Sequence, residues 1–389
     1  MIKKILITIF IFVFLTVSFT ARGAQIQSYE DMIIEEILIL GNVRTCEDVI
    51  RSQLPFAVGD YWQQKYQEWS INRLSTLNIF SYYPLQVVTQ PLDDASLKVI
   101  IRIAESSYLY LDPAEFAIMT AMNLAQKRIE PTLYNITGRG QNFSLILDWS
   151  DNYLYGVEIS TPLRAGKLDF KGENYRRNIL GYESEGQLMG LNYLYWWNNN
   201  LRSSASFEYH TLELNGQEKS HFIPGIEIYH KGFIYSNTGL RAGLPVNNEN
   251  SFHKIQSVLY KKGSKNIHGL LRLGYAADNT PVNQQYVIGG FSDLPLRAEK
   301  RFLSTGYLLS TFEYHYEFNE NMKAIGFFDG GKVWNNEKNN GGGIYYNLGA
   351  GMAIETPLGL PVRFDAAVNP DSGDWAFNIG LGFTFSPPM

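Results

Sequence analysis

Trp375-Ala376-Phe377-Asn378-Ile379-Gly380-Leu381-Gly382-Phe383-Thr384-Phe385, close to the end of a 389-residue chain, alternates without a slip. Trp375, Phe377, Ile379, Leu381, Phe383 and Phe385 make one wholly apolar face. Ala376, Asn378, Gly380, Gly382 and Thr384 make a small or polar one. A period of two is the signature of a strand whose two faces meet different surroundings. The pattern returns in residues 308–318, where Leu308, Phe312, Tyr314, Tyr316 and Phe318 share a face with Ser310 while Thr311, Glu313, His315 and Glu317 share the other. It returns again in 361–369, with Val362, Phe364, Ala366 and Val368 set against Arg363, Asp365 and Ala367. A soluble sandwich has the same period with its apolar face inward, so alternation alone leaves sandwich and membrane barrel both open.

Two features outside these strands favour the barrel. Lys3 and Lys4 precede an uncharged run, Ile5 to Phe19, and Ala21-Arg22-Gly23 then offers small residues at a cleavage site, so residues 1–23 read as a signal peptide. That run is short for a membrane-spanning helix, which needs about 20 residues. Beyond Gln25 nothing is long and apolar enough to cross as a helix, which leaves an exported soluble protein or a β-barrel. Aromatic residues also gather where strands end: Tyr193, Tyr195, Trp196 and Trp197 stand before Asn198-Asn199-Asn200, and Trp334 before Asn335-Asn336. Such positions fit the interfacial girdles of an outer-membrane barrel. Segments of roughly 10 residues would fill 106–389 with about 16 strands, with twelve or fourteen left open, the first near Glu115 to Asn123. Between Asp169 and Glu185 the alternation is too weak to place any.

Composition removes other classes. The chain is 45% hydrophobic, 14% aromatic and 18% charged with 34 glycines, and a mean hydropathy of −0.17 is too low for a bundle of apolar helices. A net charge of −5 supplies no basic field for nucleic acid. Cys46 is the sole cysteine, which excludes an intramolecular disulfide and any cysteine metal cluster, and it reads as a small buried side chain. The six histidines form no His-Glu-x-x-His pattern and no Gly-x-Ser-x-Gly elbow is present, so neither a metal, a cofactor nor an enzymatic activity is expected.

Residues 24–105 have another texture, in the order β-α-α-β-β. An apolar run, Ile33 to Leu40, ends at Gly41-Asn42. Thr45 and Asp48 then open a helix over Glu47 to Leu54, stopped by Pro55. Gly59-Asp60 introduces a second helix in which Ile71, Leu74 and Leu77 step by three, beside Trp62, Tyr66 and Trp69. Strands Leu85 to Thr89 and Leu97 to Ile103 flank the turn residues Pro91-Leu92-Asp93-Asp94. With 6 Lys and Arg against 11 Asp and Glu in residues 26–105, this part is acidic and ill suited to anionic lipid.

The run from Ile37 to Asn42, Val58-Gly59-Asp60, Arg73 to Phe80 and Val99 to Glu105 together resemble one polypeptide-transport-associated (POTRA) repeat. The C-terminal part resembles the barrel of the BamA/TamA outer-membrane assembly superfamily, the bacterial surface antigens. Gly289-Gly290-Phe291-Ser292-Asp293-Leu294-Pro295-Leu296-Arg297 is similar to that family's inward-folded loop 6, although Ala298 and Glu299 stand where its motif has glycine and an aromatic residue. Phe327 to Trp334 and Thr356 to Asp365 are similar to two further family motifs, and Asn135 to Gln141 to a turn near the barrel start. Asn378, Gly380, Phe383 and Phe385 match the C-terminal signal of outer-membrane strands, followed here by Ser386-Pro387-Pro388-Met389.

The resemblance implies a mainly-β fold, an antiparallel outer-membrane barrel of about 16 strands (106–389) preceded by one periplasmic α+β POTRA domain (24–105). It implies insertion or translocation of other proteins, with a two-partner-type secretion pore and a passive porin-like channel or surface adhesin as alternatives. Client outer-membrane or secreted proteins, outer-membrane lipids and periplasmic or lipoprotein accessory proteins are the implied partners. In the POTRA part, Leu85, Gln86, Val87, Val88 and Thr89 are the candidate client-binding edge. An arginine drawn into a barrel needs carboxylates, because an unpaired buried guanidinium is costly. Leu296 and Arg297 are therefore expected at a loop-6 lock with Glu313 and Asp329, two acids on the inward parity of their strands that by resemblance meet the loop arginine.

Overall fold

A computed structural model of the protein describes residues 29–80, 85–105, 127–149, 153–180, 182–214, 217–246, 250–262, 266–289, 296–298, 301–319, 321–334, 342–355 and 361–381. The expected signal peptide, the expected first barrel strand at 115–123, and Phe383 and Phe385 lie outside these residues.

The N-terminal module runs β1 (Ile33–Leu40), α1 (Glu47–Gln53), α2 (Lys65–Ser75), β2 (Gln86–Pro91) and β3 (Ser96–Arg102). Its sheet order is β1-β3-β2, with β1 parallel and β2 antiparallel to the central β3. Ile34, Ile50, Leu74, Leu77, Leu97, Val99 and Ile101 form its core, and Trp62 packs edge-on against Phe56. At the β2–β3 turn the Asp93 carboxylate accepts the N–H groups of Ala95 and Ser96, as turn chemistry requires. Two expectations fail at α1. Its N-cap is Cys46 rather than Thr45, without a side-chain cap bond, because Thr45 donates its N–H to Glu105 and accepts from Asn135. Cys46 itself is exposed rather than buried, since it caps the helix on the outside.

The rest is sheet. The strands are β4 (Arg128–Ile129), β5 (Thr132–Leu133), β6 (Asn142–Trp149), β7 (Tyr153–Leu163), β8 (Gly166–Ile179), β9 (Tyr182–Trp196), β10 (Leu201–Leu214), β11 (Gln217–Lys231), β12 (Tyr235–Pro245), β13 (Phe252–Lys262) and β14 (Ile267–Ala276). A short pair, β15 (Tyr286–Ile288) and β16 (Phe302–Ser304), precedes β17 (Gly306–Asn319), β18 (Met322–Trp334), β19 (Gly343–Glu355), β20 (Pro361–Val368) and β21 (Trp375–Leu381). Sequence neighbours pair throughout one 16-stranded sheet in which β15 and β16 take no part, and the two-residue pieces β4 and β5 both pair with β6. The stretch from Asp169 to Glu185, unreadable as sequence, is the β8–β9 hairpin.

Contacts divide the chain into two compact units, residues 27–231 with 239–253, and residues 232–238 with 254–389. In the first, Leu147, Tyr155, Met189, Phe207, Ile226 and Ile228 are exposed on one face of the sheet. Glu173, Arg202 and His210 are buried on the other. The second repeats this inversion, with Phe318, Trp375, Phe377 and Ile379 exposed while Arg297, Glu313, Asp329 and Asn347 are buried. Apolar outside and polar inside is the burial of a membrane barrel, and the opposite of a sandwich.

Candidate functional site

Among the described strands from β6 onward, connections are at most the eight residues 335–342, save one. That exception is residues 277–305 between β14 and β17, whose described residues pack against the polar face. Its Tyr286, Ile288, Leu296 and Phe302 pack with Tyr307, Leu309 and Val333 of β17 and β18, and Tyr286 meets Tyr307 edge-on at 4.8 Å. This apolar base carries Arg297, 1% exposed, to the acids.

Arg297 donates from Nη2 to Glu313 Oε1 at 2.9 Å, and its Nε lies 3.4 Å from Asp329 Oδ2. Both acids are wholly buried, and the period of two explains why they face inward: Glu313 shares its face of β17 with Thr311, which pairs in register with Asp329 on β18. Beneath the guanidinium, 3.8 Å away, lies the Phe327 ring. Phe327 in turn occupies the space beside Gly349, where an added Cβ would come within 2.1 Å of the ring. Leu296, Arg297, Glu313 and Asp329 are thus brought together.

Four contributors were not singled out from the sequence. Arg363 on β20 donates to both Glu313 oxygens, Nη2 to Oε1 at 2.8 Å and Nη1 to Oε2 at 3.1 Å, while its Nε sits 2.9 and 2.8 Å from the two oxygens of Asp365. His315 Nε2 lies 2.8 Å from Glu313 Oε2, and its ring is 4.3 Å from that of His268. Asn347 is wholly buried on β19; with its amide oriented to satisfy its neighbours, the oxygen faces the loop and accepts the Arg297 N–H at 2.9 Å and the Ala298 N–H at 3.2 Å. Two signals were available, parity, which puts Arg363 and Asp365 on the inward face of their strand, and their place in the Thr356 to Asp365 motif; nothing local says that they reach Glu313 some 50 positions away.

A second cluster joins the N-terminal module to the strand turns. Arg73, 5% exposed on α2, donates to the carbonyls of Gln53 and Trp196 at 3.3 and 3.0 Å and stacks on Trp69. Burial brings its guanidinium down to about 10. Gln53 donates to the Leu163 carbonyl at 2.6 Å, and Asn142 to that of Leu77 at 2.9 Å. The 135–141 turn closes the junction: Asn135 donates to Thr45 Oγ1 at 2.8 Å, and the Gly138 carbonyl accepts the Cys46 N–H at 2.8 Å. Gly138 is at φ +77°, and a Cβ there would lie 2.5 Å from the Arg44 carbonyl oxygen, so the close approach needs glycine. Glu68 meets Lys231 and Asn199 at the far side.

Of the candidate client edge, Gln86 to Thr89 lie on β2, whose sheet partner among the described residues is β3 alone. Val87 is buried and Val88 exposed, and Leu85 packs on the module core. Of the C-terminal signal, Asn378 and Gly380 lie on β21, paired with Asp365 and Arg363 of β20.

Residues 229–385 match the Omp85 superfamily domain. In fold the chain is similar to BamA from Haemophilus ducreyi lacking POTRA domains 1-3, at 12% identity and TM-score 0.56, over 90% of this chain and 85% of that one. It is also similar to CdiB from Acinetobacter baumannii, at 15% identity and TM-score 0.59 over 90% of this chain and 74% of that one. CdiB from Escherichia coli gives 13% identity and TM-score 0.60, over 90% and 75%. No curated protein sequence matches the chain. The resemblance to the BamA/TamA-like superfamily and the mainly-β barrel fold class are borne out.

Proposed function

We propose that this outer-membrane barrel, with its Omp85 superfamily domain, inserts or translocates other proteins, and that its α+β module is a POTRA domain working in the periplasm. In this reading β2 takes up an incoming client strand by backbone pairing, since an unpaired row of donors and acceptors is a template for one. The barrel seam or lumen then passes the client on.

One observation carries the reading: the one long connection among the described strands from β6 onward has its described residues held on buried carboxylates through Arg297. A passive channel has no need of such a device, and connections of eight residues or fewer leave the described strands little surface for adhesion. Deleting the protein from its host and comparing outer-membrane and secreted proteomes tests the proposal. Loss of one or more clients, restored by the parent but not by Arg297→Ala, is the expected result. Outer-membrane losses would point to insertion and secreted losses to secretion. Unchanged proteomes in both fractions would sink it.

A further inference from the structure

Glu313 is held by four hydrogen bonds, and only one comes from the loop. The other three come from the barrel wall, two from Arg363 and one shared with His315. This division matters because a buried carboxylate stripped of its partner costs far more than the pair contributes when intact. A carboxylate served by Arg297 alone would be orphaned whenever the loop moved. Glu313 is not, because Arg363 stays with it.

We propose that Arg363 is the resident counter-ion of the lock, a positioning residue whose task is to keep Glu313 satisfied while Arg297 is away, so that loop 277–305 releases and re-engages. The inference rests on the reading that this loop moves during function. Asp365 holds Arg363 in place through both of its oxygens, which leaves the two terminal nitrogens of the guanidinium free for Glu313. The remaining charged and titratable neighbours are Asp329 on β18, His315 on the strand of Glu313, and His268 stacked on His315 with Tyr260 bonded to its Nδ1 at 3.0 Å. Of the wall groups, Arg363 alone gives Glu313 both oxygens' worth of donors.

The consequence runs against intuition: weakening the wall tightens the loop. Arg363→Gln combined with Asp365→Asn removes one charge of each sign, so local charge balance is kept, and leaves Glu313 dependent on Arg297 and His315. Loop release would then strand Glu313 on a single bond, and the open state becomes rarer. The Arg297 and Ala298 N–H groups are themselves held by Asn347, so their hydrogen exchange in the full-length, detergent-solubilised protein reports release directly. Exchange of peptides covering 296–298 should slow about tenfold in the double variant, within the range for coupled network residues. It should speed up in Arg297→Gln. Arg363→Lys, which keeps a charge but not the fork, should fall between parent and double variant and serves if the latter fails to insert. Unchanged or faster exchange in the Arg363 variants overturns the proposal. No client is needed for this readout, so it fails separately from the proposed function; unchanged exchange in Arg297→Gln would instead discredit loop movement itself.

Discussion

Arg297 is gripped by contacts that respond differently to substitution. Arg297→Lys keeps the charge but loses the fork and the flat face on Phe327, so client delivery should fall nearly as far as in Arg297→Ala while the barrel stays inserted. A double-mutant cycle between Arg297→Ala and Glu313→Ala should show coupling of about 1–3 kcal/mol in thermal unfolding, and additivity would remove the pair from the account. Outside the membrane, Glu105 is open to a pH test. Burial pushes its carboxyl up, but the bonds from Thr45 and Arg44 more than offset this and hold it below the usual range. Its contribution is therefore whole above the ordinary glutamate value of about 4.3 and is lost as pH falls below that through the depressed one. Exchange protection of residues 44–46 should drop in that acidic window, and Glu105→Gln should abolish the pH dependence. The acids of the lock were readable because strand parity and a motif agreed on them. Arg363 carried the same two signals and Asn347 lay in no motif, but that either reaches the lock depends on where β19 and β20 fall across the sheet, which no local pattern encodes.

Among the elements, α2 is where the module meets the strand turns, through a buried arginine bonded to two backbone carbonyls. Arg73→Ala leaves both carbonyls without the charged donor, at a cost of about 1.5–3 kcal/mol for each such bond, with packing on Trp69 lost besides. Faster hydrogen exchange in 197–200, with strands β9 and β10 still protected, is the expected outcome. Gly138→Ala should loosen the same junction from the other side, because its Cβ collides with the Arg44 carbonyl and its φ is left-handed. If neither substitution changes protection at the turns, the junction is not what holds the module there. Elements with one clean face were legible: β17, β20 and β21 alternate as read. The β8–β9 hairpin was not, because beyond Phe170 polar residues occupy both faces, Lys171, Glu173 and Arg176 among them with Asn174. Its register comes from β7 and β10 rather than from its own sequence. The N-cap at Thr45 was misplaced for a related reason, a tertiary partner outbidding the local one.

At the scale of the molecule, exposed apolar and buried polar faces predict a protein that partitions with outer membranes and migrates faster unboiled than boiled in detergent gels. Recovery as a soluble monomer would contradict the burial pattern itself. If the proposed handling of clients holds, the finer question is whether they leave sideways. Strand β21 pairs with β20 through Val362 to Val368, and its other edge meets no partner among the described residues. It carries Gly380, which adds no side-chain packing to the ladder and weakens pairing through backbone entropy. Pro387 and Pro388 lack N–H groups and cannot lengthen a ladder. If a first strand near 115–123 closes on this one, as the sequence leads one to expect, that seam should be the weakest pairing in the barrel. With Cys46→Ser as background, one cysteine scanned through 115–123 and another at 377 or 379 should yield a disulfide under oxidation. If release is lateral, that crosslink halts client delivery and reduction restores it. If a verified crosslink leaves delivery at the parental rate, the seam stays shut in function, lateral release is wrong, and the lumen is left as the route.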